Sequence, residues 1–135
     1  MKIIIGGAGE VGTHLAELLS SEKQDIILMD EDESKLSKMD SNFDLMTVCA
    51  SPTSIQALKN AGVGDADLFI AVTPEESRNM TACMIATNLG AKKTLARIDN
   101  YEYLLPKHKE FFAQAGINSL ILMASTMSLA ASISG

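Results

Sequence analysis

The sequence predicts an α/β fold, a doubly wound parallel six-stranded sheet of Rossmann type in the order 3-2-1-4-5-6, as a single domain. Three observations predict it. Short apolar runs alternate with helical patterns from the second residue onward. The runs are apolar throughout rather than alternating, as strands buried on both faces are. A glycine-rich turn, Gly7-Ala8-Gly9-Glu10-Val11-Gly12, joins the first run to the first helical pattern. Strands separated by helices of about ten residues need right-handed crossovers, and these generate a parallel sheet with helices on both faces.

Taken in order, Lys2–Gly6 reads as a buried strand and Glu10–Ser20 as a helix with Val11, Leu15, Leu18 and Leu19 on one face. Asp25–Asp30 is the second strand, followed by a short polar helix near Glu33–Met39, and Asp44–Cys49 is the third strand. The next helix is expected from Ser51, which can cap free amides, with Pro52 at its first position. It is expected to end at Ala61, with Gly62 as a left-handed terminator. Leu68–Val72 is the fourth strand. Thr73, Pro74 and Glu76 have the spacing of a capping box at the start of the following helix, which Gly90 stops. Thr94–Ile98 is the fifth strand, a helix near Pro106–Ala115 ends at Gly116, and Ser119–Leu122 is the sixth. The closing stretch "ASTMSLAASISG" reads as a helix of small and apolar residues.

The chain has 135 residues, 47% of them apolar, so a substantial core is expected. A net charge of −6 argues against a broad electrostatic contact with nucleic acid or an anionic membrane surface. No apolar stretch approaches the roughly 18 residues that span a bilayer, and "III" after Met1 and Lys2 is too short for a signal peptide. Any membrane role is therefore expected to come through a partner. Cys49 and Cys83 lack metal-ligand spacing and read as buried, reduced thiols.

The Gly7–Gly12 turn is a G-x-G-x-x-G, and its place between a strand and an amphipathic helix makes it a phosphate-binding motif. Gly7 permits the tight turn, Gly9 lets backbone approach a pyrophosphate, and Gly12 lets the helix pack on the sheet. Ala8, Glu10 and Val11 supply the remaining backbone of the cradle, with N–H groups at the positive end of the helix. Asp30 ends the second strand, where a carboxylate accepts the hydroxyls of an adenosine ribose and repels a 2′-phosphate. Glu31, Asp32 and Glu33 follow it, with no arginine. NAD (NAD+ or NADH), or an adenine nucleotide such as ATP or ADP, therefore fits better than NADP(H). A ligand at the switch point between the first and fourth strands also meets Ser51 and Thr73, although helix capping explains both without a ligand. Arg97, a basic residue inside an apolar strand, can pair with a phosphate or with a neighbouring acid.

The reacting half of a dehydrogenase is missing. His14 lies in the first turns of the first helix, packed near the turn, and His108 sits in an exposed, charged "PKHKE". Tyr101 lacks the Y-x-x-x-K spacing; Tyr103 and Lys107 have it by count, but Pro106 stands between them and interrupts the single helical turn the pair needs, and no nucleophile elbow or P-loop lysine is present.

The segments "KIIIGGAGEVGTHLAELL", "IILMDEDESKL", "LKNAGVGDADLFIAVTPEESRNMTACMIA" and "KTLARIDNYEY" resemble the RCK (KTN) N-terminal domain, TrkA-N, of potassium channels and of TrkA/KtrA regulatory subunits. The resemblance runs from Met1 to about Leu122. It implies no enzyme activity but a cytoplasmic regulator that binds NAD(H) or ATP/ADP and gates a potassium-transporter membrane subunit by protein contact. It also implies a homodimer that builds a higher oligomer. Carried over by position, the ligand contacts are Gly7–Gly12, Asp30, Ser51, Thr73 and Arg97. Residues 1–122 form the nucleotide-binding domain, and 123–135 begin a crossover and dimerisation helix that in relatives leads to a C-terminal domain. The final apolar helix and helix faces near Met80, Met84 and Leu89 are further partner candidates, although core packing explains those residues equally well. The chain departs from the pattern where relatives have Gly-Asp-Ala-Thr: Ala50-Ser51-Pro52-Thr53 stands there, so no aspartate contact to adenine carries over. Glu76-Ser77 stands where relatives have Asp-Glu, and the tail lacks the usual Pro-Glu. The alternative reading is the N-terminal cofactor domain of an NAD-dependent dehydrogenase. A nucleotide-sensing transcription factor is disfavoured, because no basic helix-turn-helix is present.

Overall fold

The computed structural model describes residues 1–122 and Ile133. The chain runs β1 (Lys2–Gly6), α1 (Glu10–Ser20), β2 (Asp25–Asp30), α2 (Glu33–Asn42), β3 (Met46–Cys49), α3 (Ile55–Asn60), β4 (Leu68–Ala71), α4 (Glu76–Asn88), β5 (Thr94–Ile98), α5 (Pro106–Gln114) and β6 (Ser119–Leu122). Short 3-10 turns at Val63–Asp65 and Tyr101–Leu104 precede β4 and α5. The six strands form one sheet in the order β3-β2-β1-β4-β5-β6, every pair parallel, as the sequence predicts. Gly6 at the end of β1 is level with Met29 of β2 and Ala71 of β4, and Asp30 is level with Cys49 of β3. The loops that leave these four strands therefore share one rim of the sheet.

Each face of the sheet carries its own core. On one, Ile3, Ile5, Ile26, Leu28 and Ile70 pack with Leu15 and Leu19 of α1 and Leu36 and Met39 of α2. On the other, Ile4, Ile27, Met29 and Phe69 pack with Leu58 of α3, Ala82, Cys83 and Ala86 of α4, and Phe112 of α5. Full burial of each such large aliphatic or aromatic side chain stabilises by about 1.5–3 kcal/mol. The strands alternate between the two cores residue by residue, which is why their sequences show no polar face. Ala82, Cys83 and Ala86 present a small-residue face, so α4 lies close on β4 and β5.

Four boundaries differ from expectation by two residues or more, while α3, β4 and α5 each end one residue early, at Asn60, Ala71 and Gln114. β3 is an edge strand and starts at Met46 rather than Asp44, because the Leu45 N–H closes a local turn onto the Phe43 carbonyl at 2.9 Å. α2 runs on to Asn42 rather than ending at Met39. α3 starts at Ile55 with Ser54 as its cap, not at Ser51 and Pro52. The Ser51 Oγ instead accepts from the Thr53 amide at 3.2 Å and the Ser51 carbonyl from the Ser54 amide at 3.0 Å, closing a separate turn. Pro52 is buried over the end of β1, where a Cβ added to Gly6 would come within 2.8 Å of its own. The capping box at Thr73 and Glu76 does not form, and α4 starts at Glu76 itself. The Glu76 carboxylate is drawn to two amides beyond β5, those of Asp99 and Asn100, at 2.6 and 2.7 Å. Gly62 terminates α3 in the left-handed region as expected, with φ +78°. The expected crossover helix of residues 123–135 lies outside the described residues apart from Ile133, which packs against the α1–α2 core.

Candidate functional site

The glycine turn sits at the carboxyl end of β1, midway along the sheet. Gly7 has φ +119°, a conformation costly for any residue with a Cβ, and its N–H donates to the Met29 carbonyl at 2.8 Å. A Cβ at Gly12 would stand 1.7 Å from the Gly7 carbonyl oxygen, so α1 closes on its own turn only with glycine there. Gly9 is different. Its φ of −76° and ψ of −165° suit any residue, and a Cβ there would meet no atom within 4 Å. The fold itself does not require glycine at this position, whereas close approach of another molecule to the backbone does.

Gly9 is also the N-cap of α1 and offers no side chain to cap it. Thr13 is the first residue of the helix whose N–H finds an acceptor inside it, the Gly9 carbonyl at 2.9 Å. The N–H groups of Glu10, Val11 and Gly12 have no intrahelical acceptor and lie at the positive end of the helix. Open space beside Gly9 and three donors in succession match the shape and charge of a pyrophosphate.

Asp30 is 9% exposed, and both its oxygens are engaged. One accepts from the Ala8 amide and the other from the Asp32 amide, each at 2.8 Å. It therefore fastens the glycine turn to the end of β2. A carboxylate has about four acceptor sites, so two remain for ribose hydroxyls. Asp32 caps α2, and the hydroxyl and amide of Ser34 hold its carboxyl below the usual range.

Thr73 follows β4 and packs against Gly7, where a Cβ would come within 3.0 Å of the Thr73 nitrogen. Its hydroxyl accepts from the Glu75 amide at 3.2 Å and donates to the Asn79 Oδ1 at 2.7 Å, and its amide donates to the same Oδ1 at 2.9 Å. The Asn79 Nδ2 in turn donates to the carbonyls of Thr73 and Arg97, each at 2.9 Å. Asn79 thereby joins the loop after β4 to the end of β5 and is the link between Thr73 and Arg97. Three of its four bonds are buried and the one to the Arg97 carbonyl partly so, and sequence spacing gave no sign of them.

Ser51 lies in the loop after β3 and is half-buried. The Arg78 Nη2 donates to its hydroxyl at 2.8 Å and to the Glu31 carboxylate at 2.5 Å. Arg78 was not among the expected site residues. The available signal was a cation in the first turn of a helix whose other charges there are Glu75 and Glu76.

Of the histidines, His14 is exposed on α1 rather than packed near the turn, and His108 is exposed on α5. Met80 and Leu89 pack against the α4 core, while Met84 is 40% exposed. A depression of about 340 Å³ lined by Tyr103, Phe112, Ile117 and Leu120 lies beside β6 and includes no residue of the turn. Among the described residues no group of three or more His, Cys, Asp or Glu is placed to hold a metal ion. Among the same residues no helix is long and apolar enough to cross a membrane.

Comparison with known proteins adds three findings. Residues 3–123 match the family model described as the TrkA-N domain. The Trk system potassium uptake protein TrkA of Haemophilus influenzae is 48% identical over 112 residues, which take in 82% of this chain and 24% of that protein. The chain thus spans about a quarter of that relative's length. Among solved structures, the TrkA-N domain of the inner membrane protein ybaL from Escherichia coli superposes with a TM-score of 0.75 at 14% identity, covering 98% of this chain and 92% of that one. The GsuK channel bound to NAD superposes with a TM-score of 0.69 at 19% identity, covering 89% and 21%. GsuK bound to ADP gives 0.69 at 19%, covering 90% and 30%. At these identities the likeness to the solved structures is one of fold.

Proposed function

The chain belongs to the TrkA-N domain family, and from that premise we propose that it is a nucleotide-binding regulatory module of a potassium transporter or channel. It holds NAD(H), or alternatively ATP or ADP, in the crevice at the end of β1. The bound state passes as a conformational change to a membrane subunit, with the module on the cytoplasmic face as a homodimer within a higher oligomer. The observation that carries the reading is Gly9, a glycine the fold does not need, with open space before it and the free amides of Glu10, Val11 and Gly12 beside it.

In this reading Gly7–Gly12 receives the diphosphate and Asp30 the adenosine ribose. Ser51, Thr73 and Arg97 line the rim at the ends of β3, β4 and β5. The reading is one of binding, in which the Asp30 carboxylate is engaged by the amides of Ala8 and Asp32 and that of Glu31 by Arg78. A ligand acts on the partner only by its difference in affinity for two assembly states, so a nucleotide that bound both equally would shift nothing. The GsuK complexes with NAD and with ADP support a site of this kind and leave both ligand classes open to experiment.

A thermal-shift panel of NAD+, NADH, NADPH, ATP and ADP tests it. Binding raises the melting temperature by mass action, so NAD+ or NADH, or alternatively ATP or ADP, is expected to raise it and NADPH to do so least. Gly9→Ala is expected to move the unliganded melting temperature little, because its methyl meets no protein atom and the poorer N-cap is offset by a less flexible unfolded chain, and to remove the shift. A panel without any shift, or a Gly9→Ala variant that binds as well as the parent, would overturn the assignment.

A further inference from the structure

The pair Arg78–Glu31 crosses the crevice. Glu31 follows β2 and Arg78 stands in the first turn of α4, which follows β4. β1 lies between those two strands in the sheet, so the guanidinium reaches over the end of β1, where the glycine turn begins. Ser51, which also accepts from Arg78, sits in the loop that folds Pro52 over Gly6. Loops from both sides of the switch point are thus tied together across the end of β1.

The charge around this cation is negative. Asp30, Glu31, Asp32 and Glu33 run along one wall, and Glu75 and Glu76 precede Arg78 on the other. An entering anion is repelled by these carboxylates, and Arg78 offsets that repulsion. The side chains of Arg78 and Glu31 are 23% and 53% exposed, so their bond is screened by water and gives way readily. The planar fork of an arginine fits a phosphate as well as it fits a carboxylate.

We propose that Arg78 is the residue that selects for phosphate in this site, exchanging Glu31 for the diphosphate of an adenine nucleotide. Glu31 is then the ligand's competitor, and the pair is a clasp that the ligand opens. The inference rests on the nucleotide-binding reading and assigns the phosphate contact to a side chain outside the glycine turn.

The two partners of the pair make opposite predictions, which separates this role from a structural one. Calorimetry with ADP on the 135-residue chain is expected to show Arg78→Gln weakening binding at least tenfold. Glu31→Gln is expected to strengthen it severalfold, because Arg78 no longer has to be released. Added salt is expected to weaken the parent more than Arg78→Gln. Melting temperatures of both unliganded variants are measured alongside, so that loss of folding is not read as loss of contact. If both substitutions weaken binding, or both leave it within twofold, the clasp proposal is overturned and the nucleotide site stands. If the parent binds none of NAD+, NADH, ATP and ADP, both readings fall.

Discussion

The two cysteines show how differently one side chain behaves in two places. Cys49 is exposed rather than buried as expected, because it ends the edge strand β3, its thiol 3.5 Å from the Glu31 carbonyl. Cys83 is fully buried in the α4 core, and burial pushes its thiol up to about 12 from an ordinary value of 9.0. Thiolate is the reactive form, so a disulfide reagent at pH 8 is expected to label Cys49 promptly and Cys83 only on unfolding. The shift also sets a stability slope. Below about pH 9 the folded and unfolded chains both keep the proton, and Cys83 adds no pH dependence. Between 9 and about 12 only the unfolded chain releases it, so stability falls as pH rises, by up to about 1.4 kcal/mol per unit. Urea midpoints at pH 8 and pH 10 are expected to differ less in Cys83→Ala than in the parent. At Asp30 the structure revises the simplest binding test. Its oxygens hold the amides of Ala8 and Asp32, so Asp30→Ala removes a fold contact along with the proposed ligand contact, whereas Gly9→Ala is expected to act chiefly on the proposed ligand.

At the scale of elements, Asn79 shows why α4 keeps its angle. It is 1% exposed and bonds two groups of Thr73 and the carbonyls of Thr73 and Arg97. Asn79→Ala strands those groups in the interior at about 1–3 kcal/mol for each one that water cannot reach. The expected loss is roughly 3–5 kcal/mol, read from urea unfolding. The strands were readable in advance because runs such as Ile3–Ile5 and Leu68–Ala71 are buried on both faces and need no partner to explain them. Helix starts were less readable. Ser51 and Thr73 have the right chemistry for caps, but each has a better use: Ser51 closes a turn and receives Arg78, and Thr73 binds Asn79. The glycine turn and Asp30 could be read from local spacing. Arg78 could not, because its partners Glu31 and Ser51 lie 47 and 27 residues away, and only the strand order brings them together.

For the molecule as a whole, the fold follows from alternation of strand and helix, while the function depends on what the crevice holds and what the module touches. Neither a net charge of −6 nor a well-packed core selects a partner. The strand order does place every residue of the candidate site on one rim, so a ligand there touches loops from both faces at once. β1 has further importance. Ile3, Ile4 and Ile5 are 0% exposed, feed both cores in alternation, and bond a strand on either side, whereas β3 and β6 each have one neighbour. In deuterated water the edge strands are expected to exchange their amide protons through local opening, and β1 only when the whole domain unfolds. A nucleotide gripping the turn that β1 feeds would then slow exchange along the central strand by the full factor 1 + [L]/Kd. The clock set by the slowest protons in the sheet would thus report occupancy of a site that none of them touches.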